Sequence, residues 1–375
     1  MKLITLARSK GISISVAAVF SKPRLSDISN EACFTAIVDQ AQSKVEPYSL
    51  LKNMDSITQL KNEIASQCQI DIELIADILP CTAIQEGLVA LSNKDPGAYV
   101  AQNVYNLPSE IDLGRFKAAW NKVVEHEDIL RTRVVFIESS GFFQVVVREC
   151  IDWRTATNIQ ELINIDRELP AYNGATLSRY AIVEEDEKPQ FVWTAHHALY
   201  DGWCIPLLLA KVEACYHDSN AKLNASASYS RFIKYLSTID ESESDNFWRT
   251  KLSESSALQF PTLPHPSYKV HATNLCSHIS HVSRESGSQI TLPSTIRAAW
   301  ALVVAIYSGS PDDVVFGETL TGRDAPVPGI VDIIGPTLAT VPTRVHIDYD
   351  HTVGKFLEDV QILSAAAIPY QYAGK

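Results

Sequence analysis

Along the chain, the spacing of apolar side chains switches between the three-to-four-residue period of a helix and the two-residue period of a strand. Leu3, Leu6 and Ala7 form a helical stripe that stops at Gly11, a residue suited to a helix C-terminus. Residues 12–16 alternate, Pro23 interrupts, and 25–28 begin a further short turn. A helix entered at residue 1 with no capping residue reads as an element begun part-way. This opening piece is basic and too small to build a core of its own. Residues 41–54, mixed and polar around Pro47, read as a linker. Asp55 then stands where a cap belongs, ahead of Ile57, Leu60 and Ile64 on one helix face. A break at Pro80-Cys-Thr82 precedes a helix over 84–91.

From Gly97 the pattern turns α+β. Residues 99–107 predict a strand, and Asp112 caps a helix bearing Leu113, Phe116, Trp120, Val123 and Val124 on one side. Residues 132–138 and 141–147 predict a hairpin turning at Glu138-Ser-Ser-Gly141. A second strand pair, 177–184 and 190–194, is joined by the charged turn Glu185-Asp-Glu-Lys-Pro189, and a helix follows over 204–217. After a polar, serine-rich stretch around 219–230, two helical segments hold Phe232, Tyr235, Phe247 and Trp248. The last third predicts a strand over 277–284 and a helix over 295–307 capped by Ser294. Strands over 313–319 and 337–345 and a helix over 352–366 follow. The strand–helix–strand theme thus occurs twice, which predicts a two-lobed, pseudo-duplicated architecture. The chain ends at Ile368-Pro-Tyr-Gln-Tyr-Ala-Gly-Lys375 without a closing element and reads as open at both ends.

Composition narrows the function classes. With 375 residues, 46% of them apolar and 20% charged, the chain has material for two to three domains and a large core. Its net charge of −12 argues against a nucleic-acid backbone or an anionic membrane as partner. Apolar runs such as Cys204-Ile-Pro-Leu-Leu-Leu-Ala210 fall well short of the roughly 20 residues that span a bilayer. The first residues lack a secretory h-region with a cleavage site, so a cytoplasmic location is expected. Seven cysteines without a Cys-x-x-Cys spacing support neither a zinc nor a redox motif, and no metal is expected.

The one sharp constellation is His196-His197-Ala-Leu-Tyr-Asp201-Gly202, at the end of the strand Phe191-Val-Trp-Thr-Ala195. A strand that finishes in His-His puts an imidazole at a strand terminus, where a substrate can reach it. Imidazole can accept a proton near neutral pH. An Asp four residues on can brace the turn or pair with an arginine, and Gly202 lets a backbone N–H approach a reacting carbonyl. The alternative is a pair of satisfied histidines at a turn.

The seven-residue spacing resembles the HHxxxDG signature of the condensation domains of non-ribosomal peptide synthetases, and other segments carry the same resemblance. Asp77-Ile-Leu-Pro-Cys-Thr-Ala-Ile-Gln-Glu-Gly-Leu88 is similar to the family's first core motif in its fungal form, and Asp128-Ile-Leu-Arg-Thr132 to its second. Phe316-Gly-Glu-Thr-Leu-Thr-Gly-Arg323 and Ile334-Gly-Pro-Thr-Leu-Ala-Thr-Val-Pro342 resemble later ones. His126-Glu127-Asp128 departs from the family's Arg-His-Glu, so no role of that arginine is carried over.

The resemblance implies an α+β, two-lobed fold of the chloramphenicol-acetyltransferase (CoA-dependent acyltransferase) type, with the active site in a tunnel between the lobes. It implies these divisions: 1–35 the back half of a peptidyl-carrier domain, after its phosphopantetheine serine; 36–74 linker and helix; 75–225 the N-terminal lobe; 226–375 an incomplete C-terminal lobe. The implied activity is amide-bond formation between a donor acyl or peptidyl thioester and an acceptor aminoacyl thioester, in secondary-metabolite synthesis, of which siderophore synthesis is one setting. The implied catalytic residues are His197, Asp201 and Gly202. His196, Arg131, Trp203 and Tyr216 support them: Arg131 as a partner for Asp201, His196 as a brace of the turn, and Trp203 as a packing residue. No cofactor is expected on this chain. 4'-Phosphopantetheine comes on the upstream and downstream carrier domains that, with adenylation domains, are the expected partners.

Two further readings stay open. Tyr216 lies fourteen residues after Asp201, a spacing similar to that of terminal domains that release the peptide by macrocyclisation, although those carry Ser at the position of His196. Otherwise Tyr216 is a helix-face residue packed on the sheet. A non-catalytic carrier-docking module is the third reading, against which the intact His197, Asp201 and Gly202 weigh.

Overall fold

The computed structural model describes residues 2–14, 19, 24–34, 45–51, 57–169, 174–185, 188–223, 228–265, 267–268, 270, 273–281, 289–310 and 312–372. The chain divides into two compact units. The smaller comprises residues 1–38, 240–320 and 340–374; the larger comprises 39–239 and 321–339.

The smaller unit opens with α1 (Lys2–Ser9), β1 (Ile12–Ser13), α2 (Leu25–Glu31) and β2 (Cys33–Phe34), with β1 and β2 antiparallel. Ala7, Ile14 and Ile28 form a small cluster among them. The predicted short turn at 25–28 is the start of α2.

In the larger unit the order is α3 (Ile57–Cys68), β3 (Ile75–Pro80), α4 (Ala83–Lys94), β4 (Val100–Asn106), α5 (Leu113–His126), β5 (Thr132–Ile137) and β6 (Gly141–Val147). Then come β7 (Trp153–Ala156), α6 (Ile159–Glu168), β8 (Ser178–Glu185), β9 (Lys188–His196), α7 (Cys204–His217) and α8 (Tyr229–Leu236). The caps follow from local chemistry. Thr82 and Gln85 form a reciprocal capping box at α4, and Asp112 accepts the Arg115 N–H at α5. The Asp55 cap expected at α3 lies outside the described residues.

These strands make two sheets. One has the order β3-β6-β5, all antiparallel; the other has the order β4-β9-β8-β7, with β7 parallel to β8. The predicted hairpin is the β5–β6 pair, which turns at Gly141 with φ 91°. β3, β7 and α6 carry no clean alternation long enough to stand out in the sequence. Residues 45–51, expected as linker, instead dock on β3. The Tyr48 N–H donates to Asp77 Oδ1 (2.6 Å) and its hydroxyl to the Ile75 carbonyl (2.9 Å), while Tyr48 and Leu51 pack on the core of α3, β3, β5 and β6. Polar neighbours had hidden these two anchors. On the second sheet, Trp120 of α5 meets Tyr180, Phe191 and Trp193, with ring centroids 5.5, 5.0 and 6.0 Å away.

The smaller unit continues with α9 (Glu241–Leu252), α10 (Leu292–Ser308), β10 (Asp313–Leu320), β11 (Ala339–His346) and α11 (Val353–Ala367), with β10 beside β11. Two expectations fail here. Residues 277–281 form no strand, and 282–284 lie outside the described residues. Ser294 is not the cap of α10: Thr291 accepts the Ser294 N–H, and Pro293 sits in the first turn, where its missing N–H costs nothing. Ser294 is instead buried, its hydroxyl donating to Gln361 Oε1 at 3.2 Å.

Candidate active site

β9 is flanked by β4 and β8, and its residues from Phe191 to His196 are all buried. The ladder carries the strand to its last residue: the His196 N–H donates to Leu177 O (2.9 Å) and the His197 N–H to Tyr99 O (2.8 Å). His196 is therefore held inside the core, and His197 is the first residue to leave it. The His197 ring is half-buried and stacks on Tyr200, with centroids 4.9 Å apart and planes 16° from parallel. Tyr200 in turn rests against Trp193 at 5.2 Å. Nδ1 of His197 is buried and has no hydrogen-bond partner among the described residues, which leaves Nε2 as the accessible nitrogen.

His196 is only 1% exposed. Its Nδ1 accepts the Ala198 N–H at 3.0 Å, and its Nε2 lies 2.8 Å from Ser92 Oγ. Burial, with the neighbouring His197 and Arg179, lowers its pKa to about 4. A ring kept neutral and bonded through both nitrogens braces the turn.

Asp201 is fully buried and both its oxygens are taken. Oδ1 accepts the Cys204 N–H (2.9 Å) at the start of α7. Oδ2 accepts from Arg323 Nη2 (2.7 Å) and from the Thr337 N–H (3.2 Å). Arg323, 1% exposed, also donates to the carbonyls of Ile330, Ile333 and Gly335. The partner of Asp201 is thus Arg323, and the expectation of Arg131 is corrected. Arg131 follows α5 directly, and its guanidinium satisfies the C-terminal carbonyls of Val124 and Glu125, the Val147 carbonyl and the Asp128 carboxylate. Those four bonds turn it away from Asp201. Asp201 accordingly acts on the turn's shape and is enclosed away from any reacting group. The nearby Cys204 thiol is pushed up to about 12 by burial and by the Asp201 charge, so it is not a nucleophile.

Gly335 completes this buried layer. Its φ is 141°, and a Cβ there would lie 2.4 Å from the Tyr229 ring, whose hydroxyl donates to Pro336 O at 2.8 Å. Gly202 is different. It is exposed, a Cβ would meet nothing within 4 Å, and its N–H makes no hydrogen bond among the described residues. Packing does not require that glycine.

Trp203 is 43% exposed, and its Nε1 donates to Val331 O at 2.9 Å. Tyr216 is near the far end of α7, roughly 18 Å from Cys204 at 1.5 Å per residue. Its hydroxyl accepts the Asp112 N–H at 3.1 Å, and the Arg115 guanidinium lies 5.1 Å from its ring centre. It packs on the first turn of α5, at the other end of α7 from the 197–202 turn.

Three residues around the turn escaped the sequence reading: Arg323, Gln85 and Ser92. Arg323 and Gln85 stand inside quoted motifs, and their polar neighbours hide that they are buried. Ser92 carries no such signal. Among the described residues, no cluster of His, Cys, Asp and Glu is arranged to hold a metal, and no helix is long and apolar enough to cross a membrane.

A family model described as a condensation domain matches residues 75–374. The chain is 43% identical to nonribosomal peptide synthetase 4 of Gibberella zeae, 42% to nonribosomal peptide synthetase 1 of Aspergillus fumigatus and 39% to nonribosomal peptide synthetase SIDD of Beauveria bassiana. Each match takes in 100% of this chain but only 5%, 6% and 20% of those proteins. Among solved structures, one entitled holo T3CT superposes with a TM-score of 0.71 at 23% identity, over 87% of this chain and 76% of that one. A starter condensation domain of rhizomide synthetase in complex with C8-CoA gives 0.59 at 15%, over 84% and 75%. At these identities the likeness shows the fold, the CoA-dependent acyltransferase-like fold of condensation domains.

Proposed function

Because the chain belongs to the condensation-domain family, we propose that it joins a donor acyl or peptidyl thioester to the α-amine of an acceptor aminoacyl thioester, within a fungal synthetase that makes a secondary metabolite. The observation that carries this reading is the turn of residues 197–202. One end presents an accessible imidazole nitrogen and the other the unbonded amide N–H of an exposed glycine, while residues 198–201 between them are buried.

In the proposed reaction the acceptor amine attacks the donor carbonyl, an N–C bond forms, the C–S bond breaks, and the thiol leaves with the proton that the amine gives up. Freeing the α-amine from its ammonium form at pH 7.5 costs only about 0.7 kcal/mol. Orientation of bound reactants contributes on the order of 7–11 kcal/mol, and general-base help about 10²–10⁴-fold. His197 therefore chiefly orients the amine and takes its proton from the tetrahedral intermediate, while the Gly202 N–H faces the developing oxyanion. Asp201 and Arg323 position the turn. The phosphopantetheine arms that deliver both thioesters belong to carrier domains, which with adenylation domains are the proposed partners.

The test supplies the chain with a donor carrier loaded with an acyl thioester and an acceptor carrier loaded with an amino acid, followed by intact-protein mass spectrometry. Product growing on the acceptor carrier is expected, slowed about 10²–10⁴-fold in His197→Ala. Full activity in that variant removes His197 from the mechanism. Release of a cyclic product with no acceptor present overturns the elongation reading, and folded protein that transfers nothing points to a docking module.

A further inference from the structure

Ser92, 1% exposed on α4, places one hydroxyl among three groups. Its Oγ lies 2.9 Å from Leu88 O, 2.8 Å from Ala98 O and 2.8 Å from His196 Nε2. A serine hydroxyl has one proton to give. Both carbonyls can only accept, and with the proton on either of them the imidazole donates from Nε2. The other ring nitrogen requires the same arrangement, since Nδ1 already accepts the Ala198 N–H at 3.0 Å and must keep its lone pair. The Ala198 contact thus selects a single neutral tautomer of His196, and the Ser92 contact accommodates it.

The same face of α4 makes a second grip. Gln85, 0% exposed and seven residues earlier, donates from Nε2 to Ala198 O at 2.9 Å and is itself held by Gln144 and the Thr82 cap. The Ala198 peptide is therefore bonded at both its N–H and its C=O. Ala98, which Ser92 binds, precedes Tyr99, whose carbonyl receives the His197 N–H at 2.8 Å. Tyr99 holds a left-handed φ of 59°, a conformation that its surroundings must enforce. One hydroxyl consequently ties together the Leu88 carbonyl, the Ala98 carbonyl and the ring of His196, the residue before His197.

We propose that Ser92 and Gln85 are positioning residues, which from one face of α4 accept the Nε2–H of His196, clamp the Ala198 peptide and thereby aim the His197 ring. This rests on the reading of His197 as the residue that handles the acceptor amine.

The test combines two readouts on the whole chain. With ¹⁵N-labelled histidine, NMR is expected to show His196 protonated at Nε2 and bare at Nδ1 in the wild type, and its Nε2–H signal shifted in Ser92→Ala, where the Ala198 N–H alone holds the tautomer. In the carrier assay, Ser92→Ala is expected to lower kcat about tenfold, the equivalent of one buried hydrogen bond, with KM for the acceptor carrier unchanged. Ser92→Thr, which keeps the hydroxyl, is expected to restore both, and Gln85→Leu to lower kcat with the tautomer intact. Circular dichroism identifies any variant that fails to fold, and Gln85→Leu then serves in place of Ser92→Ala. A wild-type His196 protonated at Nδ1, or kcat within twofold in folded Ser92→Ala and Gln85→Leu, overturns the proposal. A wild-type chain with the Nε2–H tautomer that transfers no acyl group overturns the functional reading, and with it the positioning role, while the tautomer lock stands as a feature of the fold.

Discussion

Arg323 donates to Asp201 across 122 residues of sequence, and both side chains are 1% exposed. The pair fastens the start of α7 to the segment 330–337, because the same guanidinium and carboxylate take up the Ile330, Ile333 and Gly335 carbonyls and the Thr337 N–H. A buried pair of this kind gives little net stability over an apolar replacement, yet losing one partner strands the other without water.

That asymmetry sets the first prediction. Asp201→Ala and Arg323→Met each should cost about 3–5 kcal/mol in urea denaturation, and the double variant should cost much less than their sum. An equivalent cycle between Asp201 and Arg131 should show coupling of less than about 0.5 kcal/mol. Strong coupling to Arg131 would show that the pairing had been misassigned.

Two glycines should respond in opposite ways. At Gly335 an added methyl meets the Tyr229 ring at 2.4 Å with φ at 141°, so Gly335→Ala should lose about 2–4 kcal/mol through overpacking and backbone strain. Gly202→Ala has open space and should keep its stability to within about 0.5 kcal/mol, yet transfer more slowly. Thermal melts alongside the carrier assay distinguish the two.

Tyr216 bears on the cyclising alternative. Its hydroxyl serves the Asp112 N–H at the entry of α5, so Tyr216→Phe should cost about 1 kcal/mol of stability and leave the transfer rate unchanged. A large fall in kcat with little change in stability would return Tyr216 to the chemistry.

The pH dependence follows from His196. Its folded pKa, about 4, lies below the ordinary value of 6.5, so between these values the unfolded chain binds more protons. The contribution is fully present above pH 6.5 and is lost as pH falls towards 4; at its full extent it is on the order of 3 kcal/mol. NMR titration should show His196 flat from pH 8 down to about 5. Denaturation midpoints should fall more steeply over that window in wild type than in His196→Asn. A His196 that titrates near 6.5 would contradict the buried, doubly bonded ring.

The sequence by itself determined most of the local structure. Regular apolar periods announce α5, the β5–β6 hairpin and β9 because each element buries one continuous face, and Thr82 with Gln85 shows how a cap is built from neighbours three apart. The seven residues from His196 to Gly202 marked the site for the same reason: strand end, turn and helix start are contiguous in the chain. Contacts between distant segments were decided by tertiary structure alone. Arg131 was the arginine expected at Asp201, and the fold instead spends it on the carbonyls that end α5 and brings Arg323 to the carboxylate. Tyr216 had a suggestive spacing, but a straight helix carries it away from the turn. Ser92 looked like any helix serine until Ala98 and His196 closed on its hydroxyl. A period in sequence records which way a side chain points relative to its own element; what it meets there depends on chain closure over tens of residues, which no local pattern encodes.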